Sequence, residues 1–397
     1  MATVLKLEIA ARTFGTNDVH YWGVFAQGVR HFGPVGIYGH HLRAPVYNHG
    51  PLAGWMLVAI NWLLDHGVTS FTFLIRVPAC LADFVTALLV FELVRLVRPA
   101  RGAAIAAVLV VCSPVLFVVS GFHGNTDPVF VMFALLSVYL LVVRGQALAA
   151  GVAFGIAVSI KLVPVVLVPV LLVVLVRLGW RRLAAFVSGG AIVFLLLWLP
   201  VLVSRWDGFR VQVLGYNGNG YRQWGLPQFL TWAHLPGGAA WLAGPGRLGI
   251  LLASGLAAAA VAWRRPGAVV PAAGLSLVLF LLLSPAFGMQ YLVWPLAGAY
   301  LIDTRAATAY NVSASVFVVV VYDHWNHALP WNWYDAWAVL FSPRELVLMV
   351  LSWVLLAAVG FLGLRFLRSG NAGSTEAAGP VRRWSLKTVD EGYDLRT

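Results

Sequence analysis

Leu183–Val203 reads LAAFVSGGAIVFLLLWLPVLV, 21 residues without one charged side chain. About 20 such residues, wound as a helix, cross the hydrocarbon core of a bilayer. Runs of the same kind lie on either side, at about 71–96, 103–120, 129–143, 147–160, 163–176, 247–263, 268–283, 288–302, 307–322 and 344–367. The chain therefore reads as an all-α, polytopic transmembrane bundle of about 11 spanning helices. Two runs, 129–143 and 147–160, are short for spanning and imply tilt or a locally thinned bilayer. Composition agrees. Hydrophobic residues make up 60% of the chain and charged residues 11%, against roughly 25% charged in an average soluble domain.

The connections between the runs separate by charge. One alternate set carries Arg95, Arg98 and Arg101, then Arg144, then Arg177, Arg181 and Arg182, then Arg264 and Arg265, Arg305, and finally Arg365 and Arg368. The other set holds 16–50, Gly121–Pro128, Lys161, the long loop 204–246, Ser284–Phe287 and Tyr322–Pro343. By the positive-inside rule the basic set is cytoplasmic and the other set faces outward. A net charge of +12 invites a nucleic-acid reading. Yet the basic residues are scattered singly and in pairs between apolar runs, as cytoplasmic loops beside anionic membrane lipids require, so no nucleic-acid partner is expected. Cys80 and Cys112 both fall inside apolar runs, which argues against a disulfide framework and points to no metal site.

Residues 52–66 are too short to span, and counting them as a span would invert every later loop. Trp55, Asn61, Trp62 and Asp65 suit a helix lying in the outer interface. Residues 1–15 contain Lys6, Glu8 and Arg12 and neither span nor form a signal-peptide core. Either later helices direct insertion, or a first helix is truncated there; the second is the expectation. The chain then divides into the segment 1–15, a first external loop 16–70, a bundle 71–367 with the external loop 204–246, and a disordered cytoplasmic tail 368–397. No repeat at 20–50 residues and no inverted pair of halves is evident, which weighs against a secondary transporter.

Only 15 of 397 residues are Asp or Glu, and an acid near a bilayer is costly unless it faces water, a partner or a substrate. Asp18 stands just ahead of an aromatic, Gly/Pro-rich stretch that ends in Tyr47-Asn48-His49-Gly50-Pro51. On the same outward set lie His123, Asn125 and Asp127, then Lys161, then Arg205, Tyr221 and Arg222, then Gln290 and Tyr291. Amides meeting hydroxyls and rings stacking on a pyranose suit a sugar; an interfacial aromatic belt is the plainer reading of any single Trp or Tyr. Asp127, before Pro128, either caps the helix that begins there or touches substrate. Lys161 is either a snorkelling residue at a helix end or a phosphate contact. Arg205 and Arg222 are either solvated loop charges or phosphate contacts. Asp83 and Glu92 lie in a predicted span, where a polar packing partner is expected, and the Asn311-Val312-Ser313 sequon is discounted because it falls in a membrane run.

Asn17-Asp18 with Trp22 and Phe25-Ala26, Tyr47-Asn48-His49-Gly50-Pro51-Leu52, His123-Gly124-Asn125-Thr126-Asp127-Pro128, Lys161-Leu162-Val163-Pro164, and Ser284-Pro285 with Gln290-Tyr291 together resemble the bacterial polyprenyl-phosphate-sugar-dependent glycosyltransferases of the GT-C superfamily. The similarity runs over about residues 14–300. It implies transfer of a sugar, mannose among the candidates, from a polyprenyl phosphate to a lipid, glycan or protein acceptor outside the cytoplasm, in the cell membrane. It also implies an acidic catalytic group in the first external loop, here Asp18. The chain departs from the pattern in its missing or shortened first helix and in offering one Asp rather than an Asp-x-Asp pair, so no divalent metal or other cofactor is implied.

One carboxylate is enough for such a transfer with inversion. A base takes the proton from the acceptor hydroxyl as it attacks the anomeric carbon. Glycosidases add a second carboxyl group to protonate a poor leaving group, but a phosphate leaves as a stable anion and asks for Arg or Lys instead. Two other classes compete: a transporter or flippase of a lipid-linked or polar solute, which would place polar groups near the bilayer midplane, and a non-catalytic membrane subunit.

Overall fold

The computed structural model describes residues 1–40, 42, 46–216, 223–326 and 340–367. Over these the chain is helical, and no strand occurs among them. Seven helices are long and apolar enough to cross a membrane: Phe71–Val94, Ala100–His123, Trp180–Ser204, Gly246–Arg264, Pro266–Leu283, Thr304–Trp325 and Pro343–Arg365. Shorter apolar helices occupy Pro51–Asp65, Asp127–Val142, Ala147–Ile160 and Val163–Leu178. All the apolar runs of the sequence are thus helical, and the chain is an integral membrane protein. Trp180–Ser204, which contains the decisive run, leaves Leu196 69% and Val203 76% exposed. Such side chains suit lipid, which is as apolar as they are.

The short runs stop where they do because their ends meet protein. Asp127–Val142 has 16 residues and reaches only ~24 Å. Its first residue, Asp127, is paired with Lys161, the residue that ends Ala147–Ile160. Irregular backbone and charge are tolerated at such a place when protein rather than lipid surrounds them. The run 288–302 becomes a turn, Met289–Leu292, followed by Val293–Ile302, a helix buried along its whole length.

The segment read as a loop at 16–50 is helical over Asn17–Gly36, kinked where Gly33 takes a positive φ ahead of Pro34. No apolar run marks it. It is held instead by packing against Pro51–Asp65, the helix assigned to the interface, which leaves Trp55 and Trp62 exposed and buries Asn61. Asn61 Nδ2 donates to the carbonyl of Ala26 at 2.9 Å. Asn61→Ala leaves that carbonyl without its donor, and a drop of about 1–3 kcal/mol is expected, read as a lower melting temperature of the detergent-solubilised protein.

Residues 1–15 form the helix Ala2–Arg12, which packs on Phe117–His123 and on Val77–Val94. Its Lys6 is fully buried and binds Asp83 at 2.6 Å, with the ammonium also 5.2 Å from the Phe117 ring centre. Asp83 therefore has the polar packing partner expected of it. Glu92 bonds Arg95 one turn on, at the surface. Asn311 is buried, accepts from Ser113 at 2.6 Å and donates to the Tyr300 hydroxyl at 3.1 Å.

Several arginines of the basic set bond helix ends. Arg98 reaches the carbonyls of Tyr300 and Ile302 and the Thr304 hydroxyl, Arg177 those of Ala262 and Trp263, and Arg182 that of Gly145. The last carbonyls of a helix lack intrahelical partners and carry partial negative charge, so a guanidinium fits there. The charge pattern that orders the loops thus also caps the bundle.

Candidate active site

Asp18 stands at the start of Asn17–Gly36, where the Thr16 side chain caps the helix by accepting from the Asp18 N–H at 3.2 Å. Thr16 Oγ1 itself donates to the carbonyl of His123 at 2.8 Å. One hydroxyl therefore ties the Asp18 turn to the turn that follows Phe117–His123. Gly124 makes the second turn possible: its φ is 81°, and a Cβ there would stand 2.2 Å from the Val19 side chain.

Across this junction His123 Nε2 meets Asp18 Oδ2 at 2.9 Å, and Asn125 Nδ2 donates to the same oxygen at 3.0 Å. An ionised carboxylate can only accept, so Nε2 carries a hydrogen and donates it to Oδ2; Nδ1, on the other side of the ring, lies against the Tyr322 hydroxyl. Among the described residues no hydrogen bond reaches Asp18 Oδ1, and the Asp18 side chain keeps 30% of its surface exposed. The result is a carboxylate with one oxygen held and the other open.

Burial pushes the Asp18 carboxyl up. The charge of His123, the bonds from His123 and Asn125, and the more distant His49 outweigh it, so the group sits below its ordinary value of 3.8. Activity that needs the ionised form is therefore kept into acid and lost only as pH falls through that lowered value. His123→Ala removes the two largest lowering causes and leaves burial in place. The acid limb of the pH–rate profile is then expected to move to higher pH, a shift read directly from rates between about pH 3 and 7.

The second half of the site joins three separate helices. Asp127, fully buried, accepts from Lys161 Nζ at 2.7 Å through Oδ1 and from Trp294 Nε1 at 2.7 Å through Oδ2. Its own backbone N–H goes to Asn125 Oδ1 at 3.1 Å, so Asn125 links the two acids. The Asp127 carboxylate therefore serves a cation and an indole rather than capping its own helix. Lys161 does not snorkel. Its ammonium lies 4.8 Å from the ring centre of Tyr291 and 5.2 Å from that of Trp294, and those two rings stack at 3.9 Å.

His49 is the third member. Its ring packs on Trp22 at 4.2 Å, and its buried Nδ1 has no hydrogen-bond partner. Burial and the Lys161 charge push the imidazole down to about 3 against the pull of Asp18, so His49 is neutral at physiological pH. The turn that carries it is anchored by Tyr38, whose hydroxyl donates to the His49 carbonyl at 2.7 Å, and by Gly50, whose N–H donates to the Ile160 carbonyl at 3.0 Å. A Cβ at Gly50 would stand 2.3 Å from the Ser159 carbonyl oxygen; glycine is what lets this turn approach the end of Ala147–Ile160 beside Lys161.

Asp18, His49, His123, Asn125, Asp127, Lys161 and Tyr291 are thus brought together. Gln290 is half-buried, its amide folded back over Gly288. Arg205 is exposed and lies against Gly39. Tyr221 and Arg222 lie outside the described residues, as does the tail from 368. Tyr216, the last described residue before them, does approach the site. Tyr216, whose phenol is raised by burial and by Tyr291, also responds to Lys161 and Asp18 and bonds the Asn48 side chain. Arg247 fixes that approach, donating to the carbonyls of Leu214 at 2.7 Å and Tyr216 at 3.1 Å.

Trp294, Arg247 and Arg76 join this region although the sequence did not mark them, and Tyr322, on the outward set, was not singled out there. A tryptophan or tyrosine inside an apolar run reads as packing or belt, and nothing local distinguishes Trp294. Arg76 carried a usable signal, a lone guanidinium at the head of an apolar helix.

An all-helical membrane bundle that gathers acids, amides, histidines and a lysine around one open carboxylate suits group transfer to a hydroxyl. Residues 48–204 match the model of the dolichyl-phosphate-mannose-protein mannosyltransferase family. The crystal structure of ArnT from Cupriavidus metallidurans in the apo state is similar at 16% identity with a TM-score of 0.45, over 92% of this chain and 75% of that one. No curated protein sequence matches.

Proposed function

We propose that the chain transfers a sugar from a polyprenyl-phosphate donor to a lipid, glycan or protein acceptor at the extracytoplasmic face of the cell membrane, with inversion, and that Asp18 is the base. The observation that carries this reading is the Asp18 carboxylate itself: Oδ2 is fixed by His123 and Asn125, while Oδ1 has no bond among the described residues. In the step proposed, Oδ1 takes the proton of the acceptor hydroxyl. The acceptor oxygen bonds the anomeric carbon, the bond from that carbon to the phosphate oxygen breaks, and polyprenyl phosphate leaves with the electron pair.

Lys161 spends one of its three N–H donors on Asp127, and two remain for the departing phosphate or for sugar hydroxyls. Because Asp127 balances its charge, a second cation is needed for a phosphate that gains charge as it leaves; Arg222, six residues after Tyr216 in the sequence, is our candidate. Trp22, Tyr291 and His49 supply ring faces and a neutral imidazole suited to a hydroxyl-rich ring. The outward orientation rests on the arginine distribution between the helices, and the family match makes mannose the first sugar to test.

Mass spectrometry of membrane glycolipids and glycans from cells with and without the gene tests the reading. A product shortened by one hexose or pentose when the gene is absent is the expected outcome. An unchanged glycan profile together with a changed distribution of an intact lipid-linked sugar across the membrane would favour a flippase.

A further inference from the structure

Arg76 is fully buried, and among the described residues no carboxylate pairs with it. Its guanidinium is bound by backbone and hydroxyl oxygens instead. Nη2 donates to the carbonyls of Ala10 at 2.7 Å and Thr13 at 2.6 Å, while Nη1 donates to Thr13 Oγ1 at 2.9 Å and to the carbonyls of Gly121 at 3.1 Å and Phe122 at 3.3 Å. Nε is held by the Thr72 carbonyl at 2.7 Å.

Apart from Thr72, one turn before Arg76 itself, these acceptors belong to two places in the chain. Ala10 and Thr13 are the end of the first helix, three residues before the Thr16 cap of Asp18. Gly121 and Phe122 are the end of the wide turn that delivers His123 and, two residues on, Asn125. Both are helix ends with unsatisfied carbonyls, so one cation answers two sets of partial negative charge. The fork of five donors can span both sets at once, which a single ammonium cannot do. Arg76 thereby fixes the spacing between the segment that carries the carboxylate and the segment that carries its two donors.

We propose that Arg76 is a positioning residue for sugar transfer: it clamps the Asp18 turn to the His123–Asn125 turn so that Oδ2 is held and Oδ1 is presented. The inference rests on the reading of Asp18 as base. It touches no substrate, and its effect on the rate comes through geometry, where a displacement of about 1 Å at a catalytic group costs roughly 100-fold.

The test compares Arg76→Lys with Arg98→Lys in the full chain in lipid nanodiscs. Arg98 is a matched control, since it also bonds helix-end carbonyls, those of Tyr300 and Ile302, away from the Asp18 junction. Rates are taken per folded protein, with a panel of tritiated polyprenyl-phosphate hexoses and pentoses and the donor that wild type consumes fastest. Arg76→Lys is expected to lower kcat about 10- to 100-fold with the donor KM within about twofold, while Arg98→Lys leaves kcat within about twofold at a comparable loss of Tm. Thr13→Val removes one acceptor without touching the charge and is expected to give the same pattern at about fivefold, the equivalent of one hydrogen bond; it decides the matter if Arg76→Lys does not fold. An unchanged kcat in both Arg76→Lys and Thr13→Val, or an equal loss in Arg98→Lys, overturns the proposal. Asp18→Asn is run alongside. If it stays active, the base assignment fails and takes this inference with it, a result visible in that variant and not in the Arg76 series.

Discussion

Asp18→Asn is expected to lower sugar transfer by ~10²–10⁴-fold, the usual worth of a general base, while the protein keeps its fold. Asparagine keeps an oxygen that can accept from His123 Nε2 and Asn125 Nδ2, the two bonds that hold the Asp18 side chain. What it loses is the capacity to take a proton. The change is therefore expected in kcat, with the donor KM little altered. Asp18→Glu, by contrast, keeps the charge and moves it by one methylene, and partial activity is expected because the oxygen leaves the place that His123 and Asn125 define. Rates for the three proteins, each normalised to folded material, check the prediction. Wild-type kcat in Asp18→Asn would remove Asp18 from the chemistry.

The second large effect is expected at Lys161. Lys161→Met leaves Asp127 fully buried with only the Trp294 indole and no cation. Breaking a buried pair by removing one partner costs about 3–5 kcal/mol, because an uncompensated charge remains. A marked fall in the detergent melting temperature is expected. Adding Asp127→Asn removes the stranded charge while still accepting from Trp294, so the double variant is expected to recover most of the lost stability. Activity is the discriminating half. If Lys161 contacts the donor phosphate, the double variant stays slow although it is stable again. A double variant as active as wild type would leave Lys161 a structural role only.

Asp18 and Lys161 differ in how much of their role the sequence carries. Asp18, His123, Asn125, Asp127 and Lys161 were all marked by being polar on one set of connections in a very apolar chain. Which of them pair was not visible. Asp127 next to Pro128 looks like a helix cap, and only the approach of Ala147–Ile160 reveals Lys161 as its partner. Arg205, a candidate phosphate contact by composition, lies exposed against Gly39.

The apolar runs were legible for a simple reason: a lipid environment forces about 20 uncharged residues into a helix. Asn17–Gly36 obeys no such rule. Its mixture of His, Tyr, Trp, Gly and Pro gives no period, and its helix is fixed by tertiary contacts such as the Asn61 bond to Ala26. The clamp at Arg76 was hidden for another reason, since its partners are backbone carbonyls, which every residue type possesses equally. A charge at the head of an apolar helix signals that a partner exists without saying where.

Formation of a glycosidic bond with Asp18 as the base can be followed directly. The most direct measurement uses the purified full chain in sealed proteoliposomes containing a tritiated polyprenyl-phosphate sugar from the hexose and pentose panel and an extract of membrane acceptors. Release of polyprenyl phosphate in step with labelled glycosylated product, present for wild type and lost with Asp18→Asn, is the predicted result. Movement of the intact labelled lipid across the membrane, with no new glycosidic bond and no effect of Asp18→Asn, would contradict it.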